Sequence, residues 1–284
     1  PYIAMSTYPV VYPAGYAGVS IRGVSDVDKD GDGLNLLQEA RQGTHDNNPD
    51  TDNDGISDLK ESVWFPNRDE VFCDTEVTPY VCAYPDPLVQ DIYVEVDWMK
   101  DPSTNRVFKP TDTQVGLVVA MFVSEDINLH VDIGQLGGGN ELVDYVEHLR
   151  MEPTADTLDF FDHKNGNDGV IRSFSTDRLG IWRYMIYGNK YSNDDGNSTS
   201  SGWASILGDN LFVAGGIAET LANDRAVANT IAHELGHSLC LSPSRVYLEQ
   251  SPDCAYEGID NRSGRPPINN PDSFYNLAGY RSVM

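Results

Sequence analysis

The chain has 284 residues, 40% of them hydrophobic and 10% aromatic, enough for a substantial domain plus a smaller module, and this excludes wholesale disorder. A formal net charge of -25 argues against nucleic acid and anionic membrane surfaces as partners, and no stretch reaches the ~20 apolar residues of a membrane helix. Acidic loops that carry cations would account for the charge; a salt-rich habitat is the other explanation. The chain opens on Pro1 and closes on Met284, and is expected to be a piece of a longer protein.

Residues 1–20, rich in Tyr, Pro and Gly, read as a linker or the tail of an earlier module. Residues 21–65 are expected to form a calcium-binding module, because they contain a near-repeat. Its first copy places Asp28, Asp30, Asp32, Gly33 and Glu39 at loop positions 1, 3, 5, 6 and 12. The second places Asp50, Asp52, Asp54, Gly55 and Glu61 at the same positions and adds Asp58. Alternate side chains can converge on one hard cation, the glycine permits the sharp turn, and the last Glu can bind with both oxygens. Leu34 and Ile56 follow the glycines as apolar anchors. A solvated acidic linker is the plainer alternative, but it does not require the match at five positions. The region resembles the short structural calcium repeats of thrombospondin type 3, with no long helix before either loop.

Residues 66–284 are expected to form the main domain. Pro66 to Pro87 is loop-like. Ile92, Val94, Val96 and Trp98 alternate with Tyr93, Glu95 and Asp97 as in a strand. Thr111 or Asp112 can cap a helix that carries Val115, Val118, Val119 and Phe122 on one face. Strands are expected at Ile127–Ile133, Trp182–Tyr187 and Asn210–Ala214, and a helix from Asn223 or Asp224 to about Leu241. Asp159 to Gly169 reads as a plain loop, with a third calcium site as a minority view. The order of elements gives an α+β fold with a twisted mixed sheet. The four cysteines, Cys73, Cys82, Cys240 and Cys254, allow three pairings. Cys73–Cys82 and Cys240–Cys254 are favoured because each closes a short loop, and disulfides imply an oxidising, extracellular setting.

The segment Thr230 to Leu239 contains His233-Glu234-Leu235-Gly236-His237. Histidines at i and i+4 lie on one helix face, where both imidazoles can hold one zinc ion. Glu234 can then act as general base on a water and general acid on the leaving amine.

This helix resembles the active-site helix of metzincin zinc peptidases, and Ser282-Val283-Met284 resembles the start of their Met-turn. The stretches 91–99, 128–139 and 179–191 resemble a pappalysin-like bacterial and archaeal group of metzincins. The resemblance covers about 90–284 and implies a catalytic domain with a mostly parallel twisted sheet, a backing helix, an active-site helix and a cleft for extended peptide. It implies Met284 as the packing residue beneath the metal. It also implies Phe212, Val213 and Ala214 as an edge strand pairing with substrate backbone. Two positions depart from the pattern: Cys240 stands where Gly is usual and Pro243 where the third His ligand is usual. A Cys240–Cys254 bridge could hold the turn, worth about 3 kcal/mol by chain entropy. Candidates for the third zinc ligand are Asp260, slightly favoured, and Glu257, followed by Glu249, Asp253, His130 and His148. His130 reads better as a packed structural histidine. A zinc-blocking role for Cys73 is a minor alternative to its pairing with Cys82.

The expected function is therefore a secreted zinc endopeptidase, stabilised by calcium, acting on protein or peptide. The rival is a catalytically inactive, calcium-stabilised extracellular binding protein on the same scaffold, motivated by the missing third His. The retained Glu234 speaks against it.

Overall fold

The computed structural model describes residues 27–142, 144–152, 158–166, 170–193, 196–197, 199–206, 208–218 and 223–239. Two acidic turns come first. One leads into α1 (Leu36–Gln42), where the Asn35 side chain accepts from the Leu37 and Gln38 N–H groups and the Gln38 side chain accepts from the Asn35 N–H. These bonds satisfy donors that a helix start leaves open. The other leads into the single-turn helix α2 (Asp58–Glu61). Next come α3 (Arg68–Phe72) and the hairpin of β1 (Cys73–Asp74) and β2 (Val81–Cys82). Cys73 and Cys82 face each other across that hairpin and are disulfide-bonded.

The main sheet begins with β3 (Asp91–Lys100), followed by β4 (Val107–Phe108), α4 (Asp112–Val123) and β5 (Asn128–Asp132). Thr111 caps α4 in a capping box with Gln114. β5 returns parallel to β3, a pairing that needs a crossover, and α4 is that crossover. Beyond it lie β6 (His148–Arg150), α5 (Phe160–Asn165), β7 (Trp182–Gly188), β8 (Lys190–Asn193) and β9 (Gly196–Asn197). β10 (Gly202–Ala204), β11 (Asn210–Ala214), α6 (Gly215–Ala218) and α7 (Asp224–Ser238) complete the described chain. The sheet runs β10-β11-β7-β3, with both β4 and β5 on the far side of β3. β5, β3, β7 and β11 are parallel to one another; β10 and β4 are antiparallel to their neighbours. β6, β8 and β9 form a small separate sheet. The result is an α+β fold with a mixed sheet, as the order of elements predicts.

The core lies between the sheet and two helices. α4 and α7 pack on each other, α4 also on β5, and α7 also on β10 and β11. α4 buries Val118, Met121 and Phe122, and α7 buries Val227, Ala228, Ile231 and Leu235. The Gln114 side chain donates to Asp224 Oδ1 at 3.0 Å and joins the starts of the two helices.

Two expectations are corrected below. The strand expected at Ile92–Trp98 is present as β3; both of its faces are covered, and the face carrying Glu95 and Asp97 is a buried polar layer. Arg178, itself buried, bridges Glu95 at 2.6 Å and Asp132 at 2.8 Å, so the charges are paired inside. Asp132 accepts in turn from the N–H groups of Gly134, Leu136 and Gly138, which folds the glycine run over the strand ends. A Cβ at Gly138 would collide with the paired Arg178 Nη1 and Glu95 Oε2, so any larger residue would have to displace that ion pair. Residues 159–166 are not a loop. Asp159 accepts from the Phe161 and Asp162 N–H groups and caps α5, Phe160 is fully buried, and Lys164 pairs with Asp209 at 2.8 Å. Phe212, Val213 and Ala214 are not an edge: β11 lies between β7 and β10, all three are fully buried, and β10 holds the outer position.

Candidate functional site

α7 carries the imidazole pair. Asn223 caps the helix, accepting from the Ala226 N–H at 2.8 Å. At the other end Ser238 donates to the Leu235 carbonyl at 2.8 Å and accepts from Arg183 Nε of β7 at 3.1 Å, which pins the last turn to the sheet. Ile231 and Leu235 face the core, and this turns the half-buried His233 and His237 onto a shared face. Their Nε2 atoms approach to 3.0 Å, with ring centroids 4.4 Å apart and planes at 81°. Two imidazoles on one tetrahedral zinc stand about 3.3 Å apart at nitrogen, so the pair fits that ion with little movement. Burial, then the neighbouring His237, lowers the pKa of His233 to about 4. Its ring is therefore neutral at pH 7, the form that ligates metal.

Glu234 is 4% exposed, and burial pushes its pKa up to about 8 in the metal-free chain. Its carboxylate lies against β10, where a Cβ on Gly202 would sit 2.4 Å from Oε1. The acid is thus held directly under the edge strand of the sheet. A buried carboxyl whose pKa lies near neutrality is suited to general acid–base work.

The acidic turns are built alike. Asp28 accepts from the Gly31 and Gly33 N–H groups, and Asp32 Oδ1 accepts from the Leu34 N–H. Asp50 accepts from Asp54 and Gly55, and Asp54 Oδ1 accepts from the Ile56 N–H. In each turn three carboxylate oxygens lie within 4.8 Å of one another: those of Asp28, Asp30 and Asp32, and those of Asp50, Asp52 and Asp54. A third group joins Asp54 to Glu61 and to Asp91, the first residue of β3. Burial first, then neighbouring carboxylates, raises Glu61 to about 10, Asp52 to about 8 and Glu39 to about 7. Burial also carries Asp54 to about 7. Both oxygens of Glu39 and of Glu61 are buried without a hydrogen-bond partner among the described residues. Crowded, unpartnered carboxylates are expensive unless protonated or bound to a cation. The all-oxygen donor set suits calcium.

Each predicted residue has a definite place where the chain is described. His233 and His237 come together, and Glu234, between them in sequence, lies against Gly202 of β10. Asp28, Asp30, Asp32, Asp50, Asp52, Asp54 and Glu61 fall in the acidic groups. Glu39 is buried beside the first of them, near Asp30 and Asp32. Asp58 has both oxygens engaged by Thr51, at 2.8 Å from its N–H and 2.7 Å from its hydroxyl. His130 contacts Asp91 at 2.6 Å and stacks on Tyr93, as a packed structural histidine would. Asp260, Glu257, Glu249, Asp253, Met284, Cys240 and Cys254 lie outside the described residues. Asp91 was not among the expected ligands. Its pattern is that of an ordinary strand residue, and only its place in space joins it to the second turn. Comparison of the chain with protein-family models and with curated proteins finds no match.

Proposed function

We propose that the chain is a secreted zinc endopeptidase of metzincin type, with His233 and His237 as zinc ligands and Glu234 as general base and acid. The observation that carries this reading is the pair of Nε2 atoms 3.0 Å apart on one helix, with a buried carboxyl between them in sequence. The mostly parallel sheet, with β10 and β4 as its antiparallel strands and with α4 and α7 packed together on it, supports the metzincin assignment. The outer strand β10 offers an edge along which an extended peptide can lie. Zinc bound there would polarise the scissile carbonyl and acidify a water. Glu234 takes the proton of the attacking water and passes it to the leaving amine. The Cys73–Cys82 disulfide and the acidic turns support an oxidising, calcium-rich extracellular setting.

The test is casein digestion with zinc analysis on wild type and Glu234→Gln. Wild type is expected to cleave. The variant is expected to hold the same zinc and lose roughly 10²–10⁴-fold in kcat/KM, the usual contribution of a positioned acid–base group. Wild type that holds zinc and never cleaves would favour the inactive binding scaffold. A Glu234→Gln variant with full activity would refute the role of Glu234.

A further inference from the structure

The two acidic turns match at their acidic positions and at the glycine, but they are finished differently. In the first, Asp32 Oδ2 accepts from the N–H of Leu59 at 3.0 Å, and Leu59 brings no charge. In the second, the equivalent oxygen, Asp54 Oδ2, accepts from the N–H of Asp91 at 2.7 Å. Asp91 does bring a charge, and an oxygen of its carboxylate lies within 4.8 Å of ligand oxygens of Asp54 and Glu61. Opposite oxygens around calcium stand about 4.6–5.2 Å apart, so these three can face one ion.

A separate feature points to a ligand. Glu61 is 2% exposed, and neither of its oxygens has a hydrogen-bond partner among the described residues. Asp91 is equally buried, but it is held in position: Oδ1 contacts His130 Nε2 at 2.6 Å and Oδ2 accepts from the Asp86 N–H at 2.8 Å. Each of its oxygens keeps a further lone pair for a cation. The turn also touches the strand's approach, because Gln90 Nε2 donates to the Asp52 carbonyl at 3.1 Å. Ile56, from the same turn, belongs to the core of the sheet.

We propose that the calcium ion held by the second acidic turn is also bound by Asp91, so that one cation joins the calcium module to the first strand of the main sheet. This rests on the reading of the turns as calcium sites and deepens it. The second site has one more carboxylate than the repeat supplies, and calcium affinity rises with ligand charge. Two classes of calcium site are therefore expected, the second turn's being the tighter.

Calcium titration calorimetry on the whole chain, with calcium chloride, tests this on wild type, Asp91→Asn and Asp28→Asn. Asparagine at 91 can still accept from His130. Asp91→Asn is expected to weaken the tighter class by roughly tenfold or more and to leave the weaker class in place. Asp28→Asn is expected to do the reverse. Two unchanged classes in Asp91→Asn would overturn the proposal while leaving calcium binding by the turns intact. Wild type that takes up no calcium would overturn both. Should Asp91→Asn fail to fold, hydrogen exchange on wild type decides. Calcium is expected to slow exchange across residues 85–92 with the midpoint of the tighter class. Exchange there that ignores calcium would overturn the proposal.

Discussion

Residues 28–61 and helix α7 both gather ionisable side chains, and they do so in opposite ways. In the acidic turns, like charges are crowded and buried until Glu61 is pushed to about 10 and Asp52 to about 8. On α7 the two imidazoles approach to 3.0 Å while burial keeps His233 neutral. Repulsion in the turns can be relieved only by protons or by a hard cation. Burial already favours the neutral form of His233, so its ring adds no such repulsion. On the proposed reading the turns need a bound cation for stability, and the helix needs one for chemistry. Calcium loss should destabilise the fold; zinc loss should only silence the site.

That contrast can be broken by removing calcium with BAPTA while zinc is buffered. Each site filled at a hundred times its Kd contributes about 2.7 kcal/mol, and its loss should lower Tm by roughly 5–10 °C. A Tm that does not move would make the turns a solvated linker. Zinc removal, by comparison, should shift Tm less than calcium removal does.

A smaller effect sharpens the other side. Gly202→Ala would place a methyl 2.4 Å from Glu234 Oε1, and the flexible carboxyl would have to swing away. A displacement of that size at a catalytic group should lower kcat/KM by about 10–100-fold, with far-UV circular dichroism and zinc content unchanged. An unaltered kcat/KM would mean that the acid does not act from beneath β10.

A further effect is in pH. Glu61, Asp52, Asp54 and Glu39 have folded pKa values above their ordinary ones, so between pH 4.5 and 9 the calcium-free folded chain binds more protons than the unfolded chain. Their contribution is fully present below the ordinary carboxylate range and is lost as pH rises. The Tm of the calcium-free chain should therefore fall from pH 5 to pH 9, and saturating calcium should flatten that slope. A Tm that rises with pH in the calcium-free chain would contradict the crowding.

What could be read in the sequence was whatever a short stretch decides by itself. The helix starts at Thr111 or Asp112 and at Asn223 or Asp224, the Cys73–Cys82 pair and the ordered acidic positions of both turns are local chemistry, and all are present in the fold, with Thr111 and Asn223 as the caps. What escaped is assembled at a distance. Asp91 meets Asp54 across 37 positions, and Glu95 meets Arg178 across 83, so neither the added ligand nor the buried polar face of β3 has a local signature. Asp159, Asp162 and Asn165 have a loop's composition, yet Asp159 spends its carboxylate on a helix cap and Phe160 buries the first turn. β10 is three residues long, too short for a period, and its position outside β11 follows only from pairing.

The most direct test of the central claim is metal analysis of the dialysed chain beside its His237→Ala variant. One zinc per wild-type chain, and none in the variant, is the expected result, because both Nε2 atoms are needed to hold the ion. Wild type without zinc, or a variant that binds it equally well, would contradict the assignment.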